Sequence, residues 1–142
     1  MARGLTEAVG ERPNAITLGF SPQVLVGALA LLPPGGKLLV ITSPEVAAGV
    51  GPGALSKRAL DFFSDRAELF VAPFAPSPDR KPADVLAELV EALEEAREAG
   101  AEVLDISGGT QLVPLAALRA GFKKLTYAYP TGRKLVFYCF EV

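Results

Sequence analysis

The chain has 142 residues, a formal net charge of −2, one cysteine and no histidine. This length suits a single domain over 1–142, and the missing histidines exclude Ser-His-Asp and Cys-His catalysis, histidine-ligated zinc and histidine acid–base ribonuclease chemistry. The balance of charges does not suit DNA binding, and no apolar run reaches the ~18 residues of a membrane span. A lone cysteine and an N-terminus without a secretion signal predict a cytoplasmic protein.

Strand-like and helical segments alternate along the sequence. Four short apolar runs predict strands, at 15–20, 37–43, 67–74 and 101–107. Each is followed by a segment of helical length. The clearest of these is 82–100, whose apolar residues recur on one side and which Gly100 suits as an end. The segment "GVGPGA" at 49–54 interrupts the second connection, where it predicts a split helix or a flap.

The C-terminus predicts a hairpin. The segments "KLTYAYP" and "KLVFYCFEV" are joined by Thr131-Gly132-Arg133. Strands separated by helices form right-handed βαβ units and a parallel sheet that is covered on both faces. We therefore expect an α/β fold, a Rossmann-like three-layer sandwich whose sheet is mainly parallel, with this antiparallel pair at one edge.

Ligand sites of open α/β sheets lie beyond the carboxyl ends of the strands. Four such ends are Gly19-Phe20-Ser21-Pro22, Thr42-Ser43-Pro44, Pro73-Phe74 and Ser107-Gly108-Gly109-Thr110. Serine before proline predicts that Ser21 and Ser43 cap helices, and we expect Thr110 to cap the fourth. Helix N-termini that converge on one crevice favour an anion, although each cap is also ordinary structural chemistry. Adjacent glycines indicate either a tight turn or a ligand that approaches the backbone closely.

Two nucleotide-binding motifs are not supported. There is no G-x-G-x-x-G after the first predicted strand, so a dinucleotide cofactor is not indicated, and we expect no cofactor and no metal. The segment "GPGALSK" at 51–57 is only superficially like a phosphate-binding loop, because Ser56 replaces the last glycine and Arg58 replaces the hydroxyl residue.

Two segments carry a family resemblance that extends over essentially the whole chain. "DISGGTQLVPLAA" resembles the signature of the CRISPR-associated Rossmann fold (CARF) family, in which a strand ends in Ser/Thr-Gly-Gly-Thr before a basic residue and a helix. "ITLGFSPQVLVGAL" is similar to the family's opening Gly-x-Ser-Pro turn. The order of elements also matches. Gln111 departs from the pattern, because it stands where the family often has a basic residue.

The resemblance implies a ligand and a site. The family binds cyclic oligoadenylates, second messengers of type III CRISPR antiviral defence, in a pocket across a two-fold dimer. Its motifs would place ligand contacts at Gly19, Phe20, Ser21, Ser107, Gly108, Gly109, Thr110 and Gln111. Thr42 and Ser43 are added from sheet geometry alone. The glycines would let backbone amides reach a phosphate or ribose, and Phe20 would offer a face to adenine.

Three functions fit this resemblance. In the first, a homodimer cleaves cyclic tetra- or hexa-adenylate as a metal-independent ring nuclease. There Ser21 and a lysine or arginine would help a ribose 2′-OH attack the neighbouring phosphate. In the second, the protein is a non-catalytic sensor or sponge for the same ligand. In the third, the chain is the sensor domain of a larger effector.

Overall fold

The computed structural model describes residues 5–142, which form one seven-stranded sheet with five α-helices. The strands are β1 (Thr6–Val9), β2 (Ala15–Leu18), β3 (Leu38–Thr42), β4 (Ala67–Val71), β5 (Val103–Asp105), β6 (Lys124–Thr131) and β7 (Lys134–Glu141). The helices are α1 (Gln23–Leu31), α2 (Pro44–Ala48), α3 (Ala54–Phe62), α4 (Pro82–Glu98) and α5 (Leu112–Arg119). None of the helices within 5–142 is long and apolar enough to cross a membrane.

The strand order is β1-β7-β6-β5-β2-β3-β4. Every neighbouring pair is parallel except β6 and β7, which form an antiparallel hairpin. The predicted Rossmann-like α/β fold with a mainly parallel sheet and a C-terminal hairpin is therefore confirmed. All four strands predicted before the hairpin are present, as β2 to β5.

Two hydrophobic clusters lie on opposite sides of the sheet. One joins α4 and α5 to side chains such as Leu104 and Ile41, and the other joins α1 and α3 to Ile16 and Val40. Because successive residues of a strand point to opposite faces, the continuous apolar runs of β2 and β3 supply both clusters. The sheet is thus the middle layer of three.

The prediction that the hairpin forms the edge of the sheet is wrong. β1 pairs in parallel with β7 and lies outside it. This strand was not predicted, because its four residues, Thr6–Val9, carry no continuous apolar run and it is held by pairing with a distant strand. The predicted split in the second connection is confirmed, since α2 ends at Gly49 in a left-handed conformation and a 3₁₀ turn at Gly51–Gly53 precedes α3.

The predicted helix caps are confirmed at one of three positions. The Ser43 side chain accepts a 3.4 Å hydrogen bond from the Val46 N–H at the start of α2. Ser21 does not cap α1, because the chain continues through Pro22 before the helix begins, and no side chain caps it. Thr110 does not cap α5 either, because its hydroxyl donates to the Phe74 carbonyl, 2.5 Å away.

Candidate functional site

The loops after β2 and β5 contact each other through glycine backbone. A Cβ added to Gly19 would overlap the carbonyl oxygen of Gly108 and lie 3.2 Å from its carbonyl carbon. A Cβ added to Gly108 would overlap the Thr17 carbonyl oxygen. Neither glycine has a positive φ, so close approach of the two loops, not turn conformation, requires them. Both loops therefore lie at the same edge of the sheet, as predicted.

Gly109 has a different structural role. A Cβ at this position would overlap Cγ2 of Val113, which is fully buried in the first turn of α5. Gly109 also has no positive φ. The second glycine thus allows the loop to lie against the helix that follows it, and any contact with a ligand would come in addition to this packing.

A pocket of about 280 Å³ lies between these loops. It is lined by residues from four strand ends, namely Gly19, Phe20, Ser43, Glu45, Pro73, Phe74, Ala75, Gly108, Gly109 and Thr110. Six of these were expected as ligand contacts from the sequence. The parallel arrangement of β5, β2, β3 and β4 brings the four ends together.

Four of the expected residues do not line this pocket. Thr42 is fully buried, and its hydroxyl donates to the Leu18 carbonyl at 2.7 Å. Ser107 is half-buried, and its Oγ accepts a 2.7 Å hydrogen bond from the Ala128 N–H of β6. Ser21 and Gln111 are exposed and lie outside the lining. Thr42 and Ser107 therefore connect strands to one another within the fold.

Four lining residues were not among the expected contacts. Pro73, Phe74 and Ala75 follow β4, whose end was named as part of the crevice without an assigned role. The sequence could have indicated these three residues, because the carboxyl end of every parallel strand reaches the same edge of the sheet. No sequence pattern indicated Glu45 as a pocket residue. It lies in the first turn of α2, where an acidic residue is common for its effect on the helix dipole alone.

Asp105 positions the loop that carries the two glycines. Its carboxylate is fully buried, and it accepts hydrogen bonds from the Ser107 N–H at 2.8 Å and from the Thr126 hydroxyl at 2.7 Å. Burial raises the pKa of this carboxyl, and the hydrogen bonds from Thr126 and Ser107 partly oppose the rise. Aspartate bonded to the amide two residues later is a recognised turn pattern, so the sequence "DIS" did contain this signal.

Ser56 supports the other loop. It is fully buried in α3, and its hydroxyl donates to the Gly19 carbonyl at 2.6 Å. The segment that resembles a phosphate-binding loop only superficially therefore has a structural role at the site. It holds the chain at the end of β2 against the helix pair on one side of the sheet.

The pocket is acidic and aromatic. Its described lining includes the carboxylate of Glu45 and no lysine or arginine, and Phe20 exposes half of its surface. No group of three or more Asp, Glu, His or Cys residues within 5–142 could hold a metal ion. Chemically, this lining suits a flat ring that carries hydrogen-bond donors at its edge. Comparison of the chain with known proteins matched no family model and no curated protein.

Proposed function

We propose that this chain binds cyclic oligoadenylates of type III CRISPR antiviral defence, such as cyclic tetra- or hexa-adenylate, as a cytoplasmic homodimer. The proposal depends on the resemblance to the CARF family. The observation that supports it is the contact between Gly19 and Gly108, because the two segments that carry the resemblance line one pocket. A structural requirement for glycine at both positions is compatible with this function, since it leaves no side chains between the loops.

The pocket suits one adenosine unit of such a ring. Its volume of about 280 Å³ is near the lower limit of the ~300–1,000 Å³ that is typical of small-molecule sites. The exposed face of Phe20 offers base stacking, which contributes about 1–3 kcal/mol per base. The Glu45 carboxylate would repel a phosphate but would accept a hydrogen bond from the exocyclic amine of adenine. We therefore propose that the base enters the pocket and the phosphates stay outside it.

A homodimer would explain how so small a pocket recognises a whole ring. A ring with an even number of identical nucleotides contains a two-fold axis. An isologous dimer repeats the same lining about its own axis, so two pockets can hold two opposite adenosines of the ring.

Of the functions considered, a binding-only sensor or sponge fits the lining better than a ring nuclease. Phosphodiester cleavage by a ribose hydroxyl needs positive charge near the phosphate to stabilise the transition state. The described lining provides no cation, and Ser21 lies outside it. A ring nuclease stays the second candidate, with the needed cation coming from outside this pocket. A sensor domain of a larger effector would use the same site.

One experiment separates these functions. The protein is incubated with cyclic tetra-adenylate or cyclic hexa-adenylate, and the nucleotides are then separated by chromatography. We expect intact ring to be retained with the protein. Linear products that end in 2′,3′-cyclic phosphate would support the nuclease instead. If neither ring is retained nor cleaved at micromolar protein, the proposed function is wrong.

A further inference from the structure

Part of one face of the sheet, over β1, β6 and β7, is left uncovered and is aromatic. Side chains directly opposite one another on β6 and β7 share a face, and Tyr127 is opposite Tyr138. Tyr129 and Phe140 lie two residues away along their strands, so they share that face, and Val9 of β1 joins it opposite Tyr138. We call these five residues the aromatic face. Its tyrosines contact one another, with ring centroids 4.7 Å apart for Tyr127 and Tyr129.

The aromatic face is exposed because the helices lie elsewhere on the same side. Leu125 precedes it on β6 and is buried in the cluster that α4 and α5 form. Tyr129, Phe140 and Val9 are 50%, 53% and 53% exposed. Aromatic side chains contribute ~150–250 Å² each and a valine less. The four most exposed members of the face, which include Tyr127 at 40%, together expose roughly 400 Å². The largest apolar patch of a soluble monomer is typically about 300–600 Å² and is often functional.

We infer that the aromatic face is the surface through which a second copy of this chain binds. The inference rests on the homodimer in the proposed function and gives that dimer a location. About 400 Å² is half of the ~800 Å² per partner that a standard interface buries, and the polar residues around the face can supply the rest. The face also adjoins the candidate site, because Ala128, between two of the tyrosines, donates to Ser107 of the glycine loop.

The charges around the aromatic face favour a second copy over RNA. Exposed aromatic residues on a sheet can also stack on single-stranded RNA, but such a surface needs cations for the phosphates. On β1, β6 and β7, the charged side chains on the same side of the sheet as the aromatic face are Lys134 and Glu7, which are paired with each other. These three strands therefore place no unpaired cation on this side, and two copies can meet over the Lys134–Glu7 pair without repulsion between like charges.

Intrinsic tyrosine fluorescence can be used to follow this interface. It has three tyrosines and no tryptophan, and all three tyrosines lie on the aromatic face. Tyrosine fluorescence thus reports on this surface alone. Light scattering of the full chain across a dilution series gives the mass, and acrylamide quenching in the same samples gives the exposure of the tyrosines. We expect a dimer whose dissociation on dilution increases the quenching.

Two variants locate the contact. Tyr129→Lys should weaken dimerisation by at least about 100-fold, because an isologous interface contains each substitution twice. The matched control is Phe62→Lys, which changes the most exposed phenylalanine, 80% exposed on α3 at the opposite side of the sheet. The control should stay dimeric, and far-UV circular dichroism verifies that both variants fold. Phe140→Lys replaces the first variant if that one does not fold.

Three other results would contradict the homodimer, the location of its interface, or both. If the wild type is a dimer and Tyr129→Lys and Phe140→Lys leave it intact, the homodimer stands and the aromatic face is not its interface. A monomer at every concentration, with freely quenched tyrosines, overturns both. If single-stranded oligoadenylate quenches the tyrosine fluorescence and the oligomeric state of the protein stays the same, the aromatic face is a nucleic-acid-binding surface instead.

Discussion

Replacing Gly19 by alanine tests whether the approach of the two loops forms the site. The new Cβ would overlap the Gly108 carbonyl oxygen, and the Gly19 carbonyl is held by Ser56. To restore the ~3.3–3.6 Å of an ordinary carbon–oxygen contact, the loops must separate by roughly 1.2–1.5 Å. Overpacking of this kind costs about 1–3 kcal/mol of the free energy of unfolding. We also expect at least a tenfold loss of affinity for cyclic tetra-adenylate, because both loops line the pocket.

The matched control for this substitution is Gly36→Ala. Gly36 also has no positive φ, and its added Cβ would lie 3.1 Å from the Pro33 carbonyl oxygen, so a few tenths of an ångström relieve the contact. Both variants lose the same backbone freedom in the unfolded chain, so the difference between them isolates the loop contact. Urea unfolding followed by circular dichroism measures it. Equal stability and equal ligand affinity in the two variants would refute the reasoning.

Three further substitutions test the chemistry of the site. Glu45→Gln should weaken binding of cyclic tetra-adenylate by about tenfold in calorimetry. Binding of the corresponding inosine ring, which lacks the exocyclic amine, should be unchanged, and an equal loss of affinity for both rings contradicts the base contact. If linear products form, their formation should persist in EDTA. Ser21→Ala should then lower the rate constant of cleavage more than it raises the Kd for the ring, whereas the reverse pattern makes Ser21 a binding residue. Burial raises the pKa of Asp105 in the folded protein, so its contribution to stability is largest below about pH 4 and is lost as the pH rises through the folded pKa. The stability of Asp105→Asn should therefore rise relative to that of the wild type as the pH increases from about 4 to about 7 in urea unfolding. A difference that stays constant, or that moves in favour of the wild type, contradicts the assignment.

The sequence predicted the central part of the fold because its signals there are local. Apolar runs at 15–20 and 37–43 and the helical period at 82–100 need no knowledge of distant partners. β1 could not be found in this way. Its residues, Thr6–Val9, become a strand because β7, more than a hundred residues later, provides the hydrogen-bonding partner.

The sequence predicted only part of the candidate site. The positions of Gly19 and Gly108 follow from the rule that parallel strands end at one edge. The caps expected at Ser21 and Thr110 were wrong because local capping statistics compete with tertiary hydrogen bonds, and the Thr110 hydroxyl bonds to the Phe74 carbonyl instead. Glu45 was missed because only the three-dimensional arrangement brings the first turn of α2 to the pocket.

The central claim is tested most directly by titrating the isotopically labelled protein with cyclic tetra-adenylate and following assigned backbone amides by NMR. We expect the largest shifts at Gly19, Gly108 and Gly109 and none at Gly36 and Gly100, which precede β3 and β5 at the opposite edge of the sheet. Absence of shifts at the three site glycines, or equal shifts at both edges, would contradict the proposed binding site.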